Sequence, residues 1–278
     1  MKIAYLVLWA VLITITGCKG GDTEKDQKFV EAENMVYAAY QVRDYERILT
    51  LADSLKMEGL FSEGKACYWL GYANDRLMRK RMAELYWKTG LAATANSTED
   101  EDVRVYAGIA NRLFRTLASQ AMKPAEILTH MNAELAEDNE QGMFVTMIIC
   151  LLDLKSGRLE FSNAGHNPPV IGTANNQFSF LDMQPNAPVG LWPELEYEGE
   201  TIDDISNKLL LLYTDGLNEA ENQQQEQYGE DRIIRLLTTR FSNNTHDIVE
   251  ALETDVNNFR EGAEPNDDLT MLALMLKR

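Results

Sequence analysis

Leu209-Leu210-Leu211-Leu212-Tyr213-Thr214-Asp215-Gly216-Leu217-Asn218-Glu219-Ala220 runs from an unbroken apolar stretch straight into a Thr-Asp-Gly turn. A short apolar run closed by a turn signal reads as a strand buried on both faces. Asp215 then stands at the exposed end of that strand, where its carboxylate can be presented to a ligand. Taken alone, Asp followed by Gly also suits an ordinary turn, and on these residues alone the turn is the simpler reading.

Working outward, residues 144–153 are a second run rich in branched apolar residues. Lys155-Ser156-Gly157 makes a turn, and residues 158–163 alternate apolar with polar side chains as a hairpin partner does. Further strands are predicted over residues 169–172, 177–181 and 269–276, with the quoted run spanning 208–214. Helices are predicted over 110–121, over 124–137 with Pro124 at the favoured first-turn position, and near 231–239 and 246–260. Strands, then helices, then a closing strand describe an α+β layered fold with antiparallel pairing.

Upstream the pattern changes. There is no proline between Glu24 and Gly108, and Val36, Ala39, Tyr40, Ile48, Leu51, Ala52 and Leu55 recur at helical spacing. Cys67, Leu70, Gly71, Ala83, Trp87 and Gly90 fall at the offsets of a tetratricopeptide-like helix pair. In such a pair Gly71 and Ala83 let two antiparallel helices approach, and Trp87 fills the space beside the neighbouring pair. Residues 36–109 are therefore expected to be paired helices, 18–35 a tether, and 110–278 the second domain. A lone repeat cannot bury its own faces, so helices simply packed on the second domain are the plain alternative to a binding groove. The acidic run Glu99-Asp100-Glu101-Asp102 reads as a solvated connection.

After Met1 and Lys2 the chain carries no charge from Ile3 to Gly17, too short a stretch for a membrane helix of about 20 apolar residues. It ends in Ile15-Thr16-Gly17-Cys18, which resembles a bacterial lipobox. That resemblance implies a signal peptide over residues 1–17, excluded from the fold, and a lipidated Cys18 holding the chain at the cell envelope; an uncleaved anchor with an incidental cysteine is the alternative. No other apolar stretch is long enough to cross a bilayer as a helix.

Lys plus Arg total 26 against 44 for Asp plus Glu, and 26 − 44 = −18 repels nucleic-acid phosphates and anionic head groups. The three cysteines, Cys18, Cys67 and Cys150, lie far apart without close Cys or His partners, which supports neither a zinc cage nor a disulfide scaffold. Any metal must sit on oxygen ligands.

Four segments occur in order: Phe161-Ser162-Asn163-Ala164-Gly165-His166-Asn167-Pro168-Pro169, the quoted run through Ala220, Tyr228-Gly229, and Asp267-Asp268-Leu269-Thr270, with Pro188-Val189-Gly190-Leu191 between the first two. Together they resemble the PPM-type metal-dependent protein phosphatases, in the branch related to the sporulation phosphatase SpoIIE and to bacterial regulators of sigma-factor antagonists. The resemblance implies a β-sandwich flanked by helices, with two Mn²⁺ or Mg²⁺ ions between the sheets. It also implies hydrolysis of phosphoserine or phosphothreonine on a phosphoprotein substrate in signal transduction. Asp215 matches the family's ligand in the Thr-Asp-Gly motif, and Asp267 matches the first aspartate of its Asp-Asp motif. Asp268 reads as a turn residue, His166 as part of a structural loop, and His130 and His246 as surface residues.

The family's early acidic motifs, a Gly-Asp-rich strand and a Gly-Asp-x-Ser-Gly-x-Gly turn whose aspartate bridges both metals, do not occur here. Residues 104–113 instead read as a repeat helix running into Phe114-Arg115-Thr116-Leu117, which resembles the helix that follows those motifs. An internal deletion of the domain's front is the expectation, with weakened metal binding, little activity and open sheet edges. Two other readings stand beside it. One is an exported repeat lipoprotein that binds a regulatory protein partner and carries an inactive phosphatase remnant; the other is a subunit completed by another chain.

Overall fold

A computed structural model of the chain describes residues 3–10, 24–94, 100–137, 139, 143–172 and 177–278. Cys18 lies outside the described residues.

Among the described residues from Glu24 on, five helices come first: α1 (Glu24–Gln41), α2 (Tyr45–Met57), α3 (Glu63–Arg76), α4 (Lys80–Thr94) and α5 (Asp100–Ala118). Asp44 caps α2 by accepting the Arg47 amide, and Ser62 caps α3 by accepting the Lys65 amide. The α1–α2 and α3–α4 turns each contain a left-handed residue, Arg43 (φ 59°) and Met78 (φ 62°), and 78 − 43 = 35 residues separate them. The same turn is thus made twice at one period. The close approach expected at Gly71 is real, because a Cβ there would lie 2.3 Å from Trp87 Nε1. At Gly90 a Cβ would meet Ile109 of α5 at 2.6 Å and Cys67 of α3 at 3.0 Å, so this glycine admits the next helix.

Helix α1 begins at Glu24, inside the stretch expected to be a tether. The repeat helix expected over 104–113 does run on into the helix expected over 110–121, as one continuous α5. Val105, Tyr106, Ile109, Ala110, Leu113 and Phe114 bury an unbroken stripe along it, and Gly108 sits against Tyr68 without interrupting the turn.

The rest is a layered sandwich. Strands β1 (Ile3–Ala10), β2 (Thr146–Asp153), β3 (Leu159–Ala164) and β6 (Glu200–Ile202) form one antiparallel sheet in the order β1-β2-β3-β6. Strands β4 (Val170–Gly172), β5 (Phe178–Phe180), β7 (Leu209–Tyr213) and β8 (Met271–Met275) form the other, in the order β5-β4-β7-β8. Alternation along each strand decides what it faces. Ile148, Cys150 and Leu152 of β2 meet Leu210 and Leu212 of β7 between the sheets. Met147 and Ile149 point the other way, against α5 and α6 (Pro124–Ala136). Leu209, Leu211 and Tyr213 lie beneath α8 (Glu230–Thr239) and α9 (Thr245–Arg260). This is why β7 is four leucines and a tyrosine.

One buried cluster runs from Trp87 and Leu91 of α4, through Ile109, Leu113 and Phe114 of α5 and Met131 of α6, to Met147 and Ile149 of β2. The paired helices and the sandwich therefore share a core across α5.

Residues 1–17 were expected to stand outside the fold, yet Ile3–Ala10 pairs antiparallel with β2, Ile3 opposite Asp153 and Ala10 opposite Thr146. The physical reason is the sheet edge. Beside β2 there is otherwise a row of unpaired backbone groups, and an uncharged eight-residue apolar segment satisfies it. The edge expected to be open is closed on this side. Among the described residues no helix is long and apolar enough to cross a membrane.

Candidate metal-binding site

Strands β7 and β8 are neighbours, with Tyr213 opposite Met271, so the chain leaves β7 beside the point where it enters β8. Thr214 fastens the two ends. Its amide donates to the Thr270 carbonyl at 3.0 Å, its Oγ1 donates to the Asp268 carbonyl at 2.8 Å, and the Thr270 amide donates back to that Oγ1 at 3.0 Å. A one-turn helix α7 (Asp215–Asn218) follows directly. Its first turn is pressed against the Asp267-Asp268 loop, since a Cβ at Gly216 would lie 2.5 Å from the Asp268 carbonyl oxygen. Only glycine fits at that distance.

This clamp brings Asp215 and Asp267 to one end of the second sheet. Each carboxylate is oriented by the amide that follows it: Gly216 N donates to Asp215 Oδ1 at 3.1 Å and Asp268 N to Asp267 Oδ1 at 2.7 Å. Burial, then the Asp267 charge, then the Glu219 charge push the Asp215 carboxyl above its ordinary range. Half-buried carboxylates that repel one another favour a cation between them.

The Gly-His-Asn loop braces this end. The Asn163 side chain donates to the His166 carbonyl at 2.9 Å and accepts the His166 amide at 3.0 Å, while Gly165 (φ 67°) lies against Pro188. His166 is buried, its ring is hydrogen-bonded to the Tyr213 backbone, and Nε2 has no partner. Burial holds its pKa down to about 4, so the ring is neutral at pH 7 and braces β7. The structural reading of the loop fits this geometry. His130 and His246 are exposed on helices, as expected.

Three contributors escaped the sequence reading. Glu219 stands four residues after Asp215 and raises its pKa; the i, i+4 spacing was the available signal. Asn167 Nδ2 donates to Asn218 Oδ1 at 2.8 Å, tying the loop to α7. Arg260, only 6% exposed, reaches the Gly216 carbonyl with Nη2 at 3.5 Å from the end of α9. Nothing in sequence spacing announces either contact.

Two aspartates with free oxygens suit a hard divalent cation such as Mg²⁺ or Mn²⁺. Glu219 acts on Asp215 through its charge, yet among the described residues no three or more His, Cys, Asp or Glu side chains gather to hold an ion. The donor set fits one cation completed by water and does not fit a pair of ions.

Comparison with known proteins agrees with the layered architecture. The family model described as Stage II sporulation protein E (SpoIIE) matches residues 103–277, beginning inside α5. Protein IcfG of Synechocystis sp. is 28% identical over 139 residues, covering 50% of this chain and 22% of that protein. The phosphoserine phosphatase RsbP of Bacillus subtilis is 27% identical over 109 residues, covering 38% of this chain and 27% of its own length. The chain thus spans about a quarter of the length of these curated relatives. Among solved structures, the PP2C phosphatase domain of Bacillus subtilis SpoIIE with a fragment of its regulatory domain superposes with a TM-score of 0.53 at 18% identity, covering 60% of this chain and 48% of that one. The SiaA-PP2C domain of Pseudomonas aeruginosa gives 0.50 at 16% identity, covering 68% and 69%. At such identities the likeness concerns the fold.

Proposed function

The chain belongs to the SpoIIE family, and from that premise we propose that it is a PPM-type protein phosphatase domain of signal transduction carrying half of a metal site. The observation that carries this reading is the Thr214 clamp, which draws Asp215 and Asp267 to one sheet end. These two residues are the ligands for one Mn²⁺ or Mg²⁺ ion, and the bound ion supplies positive charge to a phosphoryl group. Asp215 binds, Thr214 and Gly216 set the approach of the two ligands, and His166 holds the end of β7 in place. The substrate class is a phosphoserine or phosphothreonine protein. Without a bridging carboxylate the ion is held loosely and turnover by this chain alone is slight.

A titration of the purified chain followed by Mn²⁺ electron paramagnetic resonance tests this reading. It should show one weak site, lost in both Asp215→Asn and Asp267→Asn. Two tight sites, or one that survives both substitutions, contradict it.

The lipobox reading supports a second part of the proposal, attachment to the cell envelope through Cys18. Ile3–Ala10 cannot be both an excised leader and a strand of the sheet. The unprocessed chain is the form that contains β1, and the processed form begins at Cys18. Mass spectrometry of the membrane fraction should find an acylated N-terminal cysteine; an intact Met1 there refutes the anchor.

A further inference from the structure

Six aromatic rings form one connected surface on the paired helices. Tyr37 and Tyr40 of α1 lie 5.5 Å apart by ring centroid, and Tyr40 touches Trp69 at 5.9 Å and Tyr72 at 5.5 Å on α3. Tyr68 continues the network to Trp69 at 5.3 Å, and Tyr45 joins Tyr72 at 6.2 Å. Tyr72 is buried in the core between α1, α2 and α3, but the network does not end there. Tyr37 is 54% exposed and Tyr40 36%, with Met35 and Val30 also exposed on α1. Amphipathic rings left half out of a core form a surface that can still bury area at small cost in side-chain entropy.

Several cations of the helical region are paired, while two on this surface lie against rings. Lys56, Lys65, Arg79, Lys80 and Lys88 each pair with a carboxylate. The guanidinium of Arg112, from α5, instead lies 4.4 Å from the Tyr72 ring centroid. That of Arg76 lies 5.8 Å from the Tyr45 ring, and its Nε donates to Tyr45 Oη at 3.5 Å. In a chain with a net charge of −18, both arginines of this face are held by rings, with no carboxylate bound to either among the described residues; Arg232 of the sandwich, over Phe259 and Tyr228, is the other arginine so held. Held against a ring, a guanidinium still has N–H groups to donate to an incoming anion, the terminal Nη groups in the case of Arg76.

We propose that this aromatic and arginine face of α1, α3 and α5 is a docking surface for an acidic segment of a partner protein, one that places carboxylates on Arg76 and Arg112 and an apolar side chain on Tyr37 and Tyr40. The complementarity is electrostatic and local. Two isolated guanidinium groups suit one carboxylate each, and the net negative charge of the chain limits the partner segment to a few acidic residues set among apolar ones. The inference does not depend on the phosphatase reading, since none of these residues belongs to the metal-binding end of the sandwich.

A random peptide library displayed on phage and selected on the full chain tests the proposal, with the enriched peptides then synthesised and titrated by fluorescence polarisation. Selection should enrich peptides that combine two or more Asp or Glu with an aliphatic or aromatic residue. Arg76→Gln and Arg112→Gln should each weaken binding of such a peptide by about tenfold, as expected for loss of one charge-assisted hydrogen bond. Arg235→Gln, outside this face, should leave it unchanged. The double reversal Arg76→Glu with Arg112→Glu, shown by circular dichroism to be folded, should turn the preference toward Lys and Arg. Failure to enrich any peptide, enrichment of basic or neutral peptides, equal binding by the reversed variant, or capture of a sugar oligomer in preference to any peptide would each overturn the proposal.

Discussion

Replacing Gly216 with Ala tests the contact that assembles the candidate site. The added methyl would lie 2.5 Å from the Asp268 carbonyl oxygen, 2.7 Å from its carbon and 3.1 Å from the Leu269 nitrogen, all of them backbone atoms that cannot rotate aside. To reach ordinary contact the Asp267-Asp268 loop must retreat by nearly an ångström, against the hydrogen bonds Thr214 makes to Asp268 and Thr270. Overpacking of this kind costs about 1–3 kcal/mol, and the gain in helix propensity from Gly to Ala returns up to about 1 kcal/mol. The net loss lies between about 0 and 3 kcal/mol, and its central value of about 1.5 kcal/mol lowers Tm by roughly 3–6 °C for a chain of this size. Gly199→Ala is the control, because its methyl would meet Ala125 Cβ at 3.4 Å and the Phe161 carbonyl oxygen at 3.9 Å, both ordinary contacts. Differential scanning calorimetry of the two variants is the assay. If Gly216→Ala melts with Gly199→Ala and the parent, α7 does not press on that loop, and the convergence of Asp215 with Asp267 loses its support.

Three further outcomes follow from the packing and the buried imidazole. His166 titrates at about 4 in the folded chain against an ordinary 6.5, so the unfolded chain takes up its proton first as the pH falls. Stability from this group is fully present above pH 6.5 and is lost down to pH 4, by about 3 kcal/mol in all, and denaturant melts should show that slope shrinking in His166→Gln. Ile109→Ala removes a fully buried side chain where α5 meets Gly90, and should cost about 3 kcal/mol while the chain still unfolds in a single transition. Separate melting of the helical half would contradict the shared core. Removing residues 1–17 should expose β2 amides that β1 protects, seen as faster hydrogen exchange confined to residues 146–153, whereas unchanged protection would mean that β1 does not pair there.

How far the fold could be read from residue patterns depended on whether burial left a signature in composition. Strands β2 and β7 are covered on both faces, so their apolar runs were unmistakable, with ends within two residues of those observed. β6 is only Glu-Thr-Ile, too short and too polar to carry any period. Helix α7 was hidden because Asp215-Gly216 spells a turn as readily as a first helical turn. Continuity of α5 was legible, because residues 104–113 read as a helix running into Phe114-Arg115-Thr116-Leu117 and its apolar stripe carries on across the junction. Ile3–Ala10 shows a deeper ambiguity: an uncharged apolar segment suits a leader and a sheet edge equally, since both remove backbone and side chains from water. At the site, Asp215 and Asp267 were legible only through their neighbours. The supports from Asn167, Asn218 and Arg260 depend on tertiary closure and have no local pattern.

The central claim is that this SpoIIE-family domain keeps the Asp215 and Asp267 half of a metal site and lacks the rest. The most direct measurement is hydrolysis of a generic phosphate ester by purified residues 18–278 in millimolar Mn²⁺, side by side with Asp215→Ala. Two carboxylates hold one ion loosely and leave most of its octahedral positions to water, so the account predicts equal, near-background rates for the two proteins. Robust Mn²⁺-dependent turnover that Asp215→Ala abolishes would contradict it, and would assign the missing bridging role to another acidic residue such as Asp100, Glu101 or Asp102.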